Sequence, residues 1–130
     1  MDQRQILSAF NDHFMEFVDD VQRVFPDNDD ITTVKTSLVS FRKTNPRLIL
    51  LVFKEQVIGK YRNEIEKGDI NFFIDKDYKQ DVGQMGSSKM ILEKIDCLRQ
   101  PIREMKQEDQ NKVIKYIQNL MKLSDIYTGN

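Results

Sequence analysis

Hydrophobic positions at the start of the chain recur at helical spacing. Ile6, Phe10, Phe14, Phe17, Val21 and Val24 lie three or four residues apart, a stripe with a period of about 3.6. Asp12, Glu16, Asp19 and Asp20 fall largely off the stripe. Asp2 and Gln5 have the spacing of a capping box. The pattern predicts a first helix over 3–24. Phe25-Pro26-Asp27 ends it, because a residue before proline avoids the α region.

Asp29 or Asp30 is the expected cap of a second helix, with Ile31, Val34, Leu38 and Phe41 inward. Asn45-Pro46 reads as an N-cap followed by proline at the first helical position, opening a third helix that runs to Lys60. Its segment Arg47–Phe53 is apolar on nearly every side, as a buried strand would also be. The Asn-Pro start and the following Lys54–Ile58 favour a central buried helix. Tyr61–Lys67 adds one or two turns, which Gly68 would end. Asp69 then caps a short helix through Ile70, Phe72, Phe73 and Ile74.

Asp75–Ser88 has two glycines, two serines and little periodicity, so a mobile loop is expected there. Ser87 or Ser88 caps the next helix, with Ile91, Leu92, Ile95, Leu98 and Ile102 inward. Pro101 should kink it or split it near Arg99. A last helix over Gln107–Leu123 turns Val113, Ile114, Ile117, Leu120, Met121 and Tyr116 to the core, and residues after Asp125 are expected to fray. No repeat is visible. The economical fold is all-α, a compact bundle of five to six helices with residues 1–130 as a single domain.

Composition agrees with that picture. Hydrophobic residues at 39% and charged residues at 32% suit helices with salt-bridged outer faces. A compact chain of this length has a radius of gyration of about 14 Å. It buries about two thirds of its unfolded surface, enough for one core. The lone Cys97 cannot form an internal disulfide and fits a reducing compartment. The start, MDQRQILSAF, lacks the pattern of a signal peptide, and Leu48–Phe53 is too short to span a bilayer. Cytoplasmic or nuclear folding is therefore the expectation.

Charge is sorted into blocks. Asp12, Glu16, Asp19, Asp20, Asp27, Asp29 and Asp30 are interrupted only by Arg23. Lys35, Arg42, Lys43, Arg47, Lys54, Lys60 and Arg62 are then interrupted only by Glu55. The formal net charge of −1 hides this alternation. A weaker acidic stretch over Glu64–Asp81 and a weaker basic one over Lys89–Lys122 continue it. Such a chain carries strong local fields and no global one.

Catalytic chemistry has little to stand on. His13 is the only histidine, too few for a histidine metal site, a triad or a histidine acid–base pair. Cys97 sits at helical spacing with Ile91, Leu98 and Ile102, as a small buried hydrophobe would. An EF-hand starting at Asp27 fails at Ile31, Thr32 and Leu38, and one starting at Asp75 fails at Lys79, Gln80 and Gly86. Pro26-Asp27 with Asp77-Tyr78-Lys79 matches a nuclease pattern whose Asp-x-Lys pair belongs on a strand, whereas this one falls in an expected loop. Gly83-Gln84-Met85-Gly86 resembles a KH clamp without its sheet or its basic residues.

The basic segment around Asn45-Pro46 would suit a helix-turn-helix reader, but the helix that should enter the groove is the most apolar in the chain. A pI near 5.8 also argues against a nucleic-acid domain. The alternative for these charges is a rim that pairs with the acidic first helix. Pairs of that kind contribute only about 0–1 kcal/mol each and act more on orientation and partner choice.

Several segments together carry a resemblance: Phe10–Phe17 (FNDHFMEF), Val24–Asp27 (VFPD), Thr44–Ile49 (TNPRLI), Gly68–Phe73 (GDINFF) with Lys76-Asp77-Tyr78, Ile95–Pro101 (IDCLRQP) and Lys115–Leu120 (KYIQNL). They resemble a family of small helical proteins of large nucleocytoplasmic double-stranded DNA viruses. The resemblance spans nearly the whole chain and contains no catalytic motif. It implies a viral protein folding in host cytoplasm, with a minor virion or capsid-associated component as its role.

The sequence therefore leads to a non-enzymatic structural or interaction protein with no cofactor, metal or small-molecule substrate. Its partners would be other proteins or further copies of itself. Candidate interaction residues are Arg42, Lys43, Arg47, Lys54, Lys60, Arg62, Asp19, Asp20, Asp27, Asp29 and Asp30. Nucleic-acid association through Lys35–Arg62 is the alternative. A metal-dependent nuclease using Asp27, Asp77 and Lys79 is third.

Overall fold

The computed structural model describes residues 2–75 and 87–128. The helices in chain order are α1 (Gln3–Val24), α2 (Asp29–Thr44), α3 (Leu48–Val52), a π-helical stretch (Phe53–Ile58), α4 (Gly59–Lys67), α5 (Asn71–Ile74), α6 (Ser87–Asp96), α7 (Arg99–Arg103) and α8 (Gln107–Ile126). The α3–π–α4 run is one helical rod kinked at Tyr61, and α6 and α7 are the halves of a helix split ahead of Pro101. Counted so, this is the expected all-α bundle of five to six helices, without strands among the described residues.

Local chemistry explains the boundaries. Asp2 and Gln5 form the capping box, with the Gln5 N–H donating to Asp2 Oδ1 at 2.8 Å and the Asp2 N–H to Gln5 Oε1 at 3.0 Å. Helix α2 corrects one expectation. Its cap is Asn28, whose Oδ1 accepts from the Asp30 and Ile31 N–H groups at 2.9 and 3.2 Å. Asp29 and Asp30 instead fill the first turn, where the helix dipole favours their charge. Asn45 is also reassigned. It closes α2 through its N–H on Phe41 O, and α3 begins two residues after Pro46 with no side-chain cap.

The third helix widens into the π stretch, and non-helical dihedrals at Tyr61 (φ −127°, ψ 25°) kink it at the expected boundary after Lys60, before the further turns that run to Lys67. Gly68 ends it as expected, at φ +74°, with its N–H on Ile65 O and the Asp69 N–H on Glu64 O. Asp69 Oδ1 receives the Asn71 N–H at 2.9 Å and so opens α5. The mobile loop expected over 75–88 and the caps expected of Ser87 or Ser88 lie outside the described residues and side chains, Asp75 apart.

One hydrophobic cluster runs through every helix. Helix α1 lies at its centre, packed along α8 and α2 and across α3. Phe10 and Phe14 meet Phe53 at ring separations of 5.9 and 5.7 Å, the second edge-to-face at 90°. Such contacts contribute beyond area burial. Val24, expected at the end of this stripe, is 40% exposed, lining a hollow beside Met105 and Val113.

The far end of α8 corrects the other terminal expectation. The helix continues to Ile126, and Tyr127 is 3% exposed rather than frayed. Its carbonyl accepts from Lys54 Nζ at 3.2 Å, and the Thr128 N–H donates to Gln3 Oε1 at 2.6 Å.

Candidate interaction surface

The two large charge blocks meet in the α1–α2 hairpin. Asp12 pairs with Arg42 at 2.7 Å and Asp19 with Lys35 at 2.6 Å, and Gln22 Nε2 donates to Thr32 Oγ1 at 3.1 Å. Descending numbers on α2 meet ascending ones on α1, the register of an antiparallel pair. Asn11 Nδ2 closes the far end on Pro46 O at 3.0 Å. Part of the charge sorting is therefore a zipper within the fold.

The other candidate residues are dispersed. Asp20 accepts from the Tyr116 hydroxyl on α8 and pairs with Arg23 at 2.5 Å. Arg62 holds Asp125 through two bonds of 3.0 and 2.7 Å. Lys54 is committed to Tyr127 O, and Lys60 is exposed on α4. Asp27, Asp29 and Asp30 are exposed at the α1–α2 turn. Lys43 and Arg47 are exposed at the opposite end of the hairpin, where Arg47 shares a groove with Arg4, Asp2, Leu7 and Tyr127. Lys35–Arg62 thus forms no single basic face. Asp77, Lys79 and the Gly83–Gly86 segment lie outside the described residues.

A second constellation escaped sequence reading. Along the α1–α8 seam the His13 ring lies 4.9 Å from that of Tyr116, which in turn packs on Phe17 at 5.7 Å. His13 Nδ1 stands 3.5 Å from Glu16, and its Nε2 is buried with no hydrogen-bond partner among the described residues. Burial, then the bond to Asp20, pushes the Tyr116 hydroxyl up to about 12. These contacts join residues from the two ends of the chain, and only the i, i+4 spacing of Asp12, Glu16 and Asp20 hinted at one wall.

Elsewhere, Asp96 is a buried carboxylate held by Arg99 at 3.2 Å. Among the described residues, no group of three His, Cys, Asp or Glu side chains could hold a metal ion. None of the described helices is long and apolar enough to cross a membrane. No protein family, characterised protein or solved structure matches this chain.

Proposed function

We propose that this chain is a non-enzymatic interaction protein, a small structural component of a larger assembly. One observation carries the reading. After the hairpin has paired Asp12 with Arg42 and Asp19 with Lys35, exposed charge at its two ends remains mainly of one sign each, Asp2 beside Arg4 and Arg47 and Arg23 near the acidic end being of the opposite sign. Asp27, Asp29 and Asp30 gather at one end of the α1–α2 hairpin, and Arg4, Lys43 and Arg47 at the other. Opposed patches of this kind steer and orient protein partners. The resemblance to small helical proteins of large DNA viruses supports a viral particle as the assembly, with this chain as a minor virion component made in host cytoplasm. Nucleic-acid binding through Lys35–Arg62 is the weaker reading, since Lys35, Arg42 and Arg62 are already held by carboxylates and Lys54 by the Tyr127 carbonyl.

Crosslinking and fractionation of the source particles tests the proposal. Co-fractionation with particle proteins, weakened by salt, is the expected result. A chain absent from every assembly, monomeric and indifferent to salt, would overturn it.

A further inference from the structure

The α1–α8 seam opens into three hollows that share their walls and so form one groove. Phe17, Asp20 and Tyr116 line its upper part, His13 and Glu16 its middle, and Asp12 and Leu123 its lower part. One wall carries an acidic row from α1: Asp12, Glu16 and Asp20, each four residues from the next and hence on one face. The other carries a basic row from α8: Lys112, Lys115 and Lys122. All three lysines are exposed and make no ion pair among the described residues. Asp12 pairs with Arg42 on α2, Asp20 pairs with Arg23 and accepts from the Tyr116 hydroxyl, and Glu16 meets His13. The rows face outward at Asp12 and Glu16, opposite Lys122 and Lys115, while the upper end is mixed in sign, with Asp20 largely covered, Arg23 on the α1 wall and Asp109 on the α8 wall.

We infer that this groove is the contact between two copies of the chain, an inference that rests on the interaction reading above. The geometry favours a second copy over an unrelated partner. A twofold axis laid along the seam carries the acidic stripe of one molecule onto the basic stripe of the other and keeps every residue at its own height. Helices α1 and α8 run antiparallel, with Gln3 beside Thr128 and Asp20 beside Tyr116. Asp12 is therefore level with Lys122, Glu16 with Lys115 and Asp20 with Lys112. Across the axis each acid meets the second copy's lysine of that level, and every contact occurs twice, as an isologous interface requires. The aromatic floor of Tyr116 and His13 supplies the apolar centre. The flanking charges make the contact salt-sensitive, since exposed charges are screened beyond about 10 Å at 0.1 M.

Analytical ultracentrifugation of the full chain tests this. The wild-type chain dimerises at low salt and dissociates as salt rises. Glu16→Lys alone and Lys115→Glu alone each place like charges together twice, and each weakens dimerisation by at least about tenfold, equivalent to about 1.4 kcal/mol. An equimolar mixture of the two variants restores it, because both contacts are then complementary. A change of fold in either variant, visible by circular dichroism, would not be repaired by mixing. A chain that stays monomeric at low salt, or a dimer unmoved by either variant, overturns the twofold pairing. Recovery of a monomeric chain in particle fractions would leave the interaction reading standing, so the two fail separately.

Discussion

Tyr116 and Asp20 show how much of the seam depends on single polar contacts. The phenol is half-buried, and its hydroxyl donates to a carboxylate that also holds Arg23. Burial and that bond both favour the protonated phenol, which is raised to about 12. The folded state therefore holds its proton more tightly than the unfolded chain, whose tyrosines titrate near about 10. The contribution is complete below that range and declines as pH rises toward 12, so denaturant stability should fall across it while Tyr116 ionises late in an ultraviolet titration. Tyr116→Phe keeps the ring on Phe17 but removes the donor. We expect a loss of about 1 kcal/mol in urea unfolding and a flatter alkaline limb. Arg62 and Asp125 give the opposite limb. The two hydrogen bonds from Arg62 hold Asp125 below the usual carboxylate range. The stability they add is present at neutral pH and fades as pH falls through the depressed value. Both side chains are well exposed, so Asp125→Asn should cost no more than about 1 kcal/mol and should flatten the acid limb. Neither pair was legible in the sequence, because each joins residues far apart in the chain.

Helix ends in this bundle are finished by side chains from other helices. Gln118 on α8 donates to Ile65 O at the end of α4, at 2.9 Å, and Gln110 to Ile102 O at the end of α7, at 3.0 Å. Arg103 likewise reaches Ile74 O at the end of α5. Terminal carbonyls lack helical partners, so these long polar side chains let short helices end inside the fold. The sequence marked where helices stop, through Phe25-Pro26, Gly68 and Pro101, because those signals act on their own backbone. It misassigned Asn45, whose N–H completes α2 on Phe41 O, and missed the π stretch, whose Phe53 packs on Phe10 and Phe14 far away in the sequence. Two glycines, Gly59 inside the rod from Leu48 to Lys67 and Gly68 just past its end, separate the cases. At Gly68, φ of +74° strains any side chain even though a Cβ would meet Gln118 at a comfortable 3.7 Å. Gly68→Ala should therefore cost about 1–2 kcal/mol, from the backbone alone. At Gly59 the backbone is helical, and alanine would ordinarily stabilise by about 1 kcal/mol. A Cβ there would stand 3.3 Å from Lys54 O across the π turn, so Gly59→Ala should forfeit that gain. Urea midpoints of the two variants check both expectations.

Across the molecule, Tyr127 and Thr128 belong to the fold. Tyr127 is buried against the cluster, its carbonyl holds the half-buried Lys54, and the neighbouring Thr128 N–H reaches Gln3 on the first turn of α1. The terminal segment thus ties α1, the π stretch and α8 together at one end of the bundle. Sequence pattern placed it outside the core because the apolar periodicity of α8 fades after Leu123 and a single tyrosine gives no period to follow. Burial of one aromatic side chain stabilises by about 1.5–3 kcal/mol. Removing residues 127–130 also strips the Lys54 ammonium of its acceptor. A chain ending at Ile126 should therefore lose about 2–4 kcal/mol. Set against a total of about 5–15 kcal/mol for an ordinary domain, that is a large share. Tyr127→Ala, which keeps the carbonyl, should lose less than the truncation. The gap between the two measures what the backbone contacts add, and a truncated chain whose urea midpoint matches the full one would return the segment to the status of a tail.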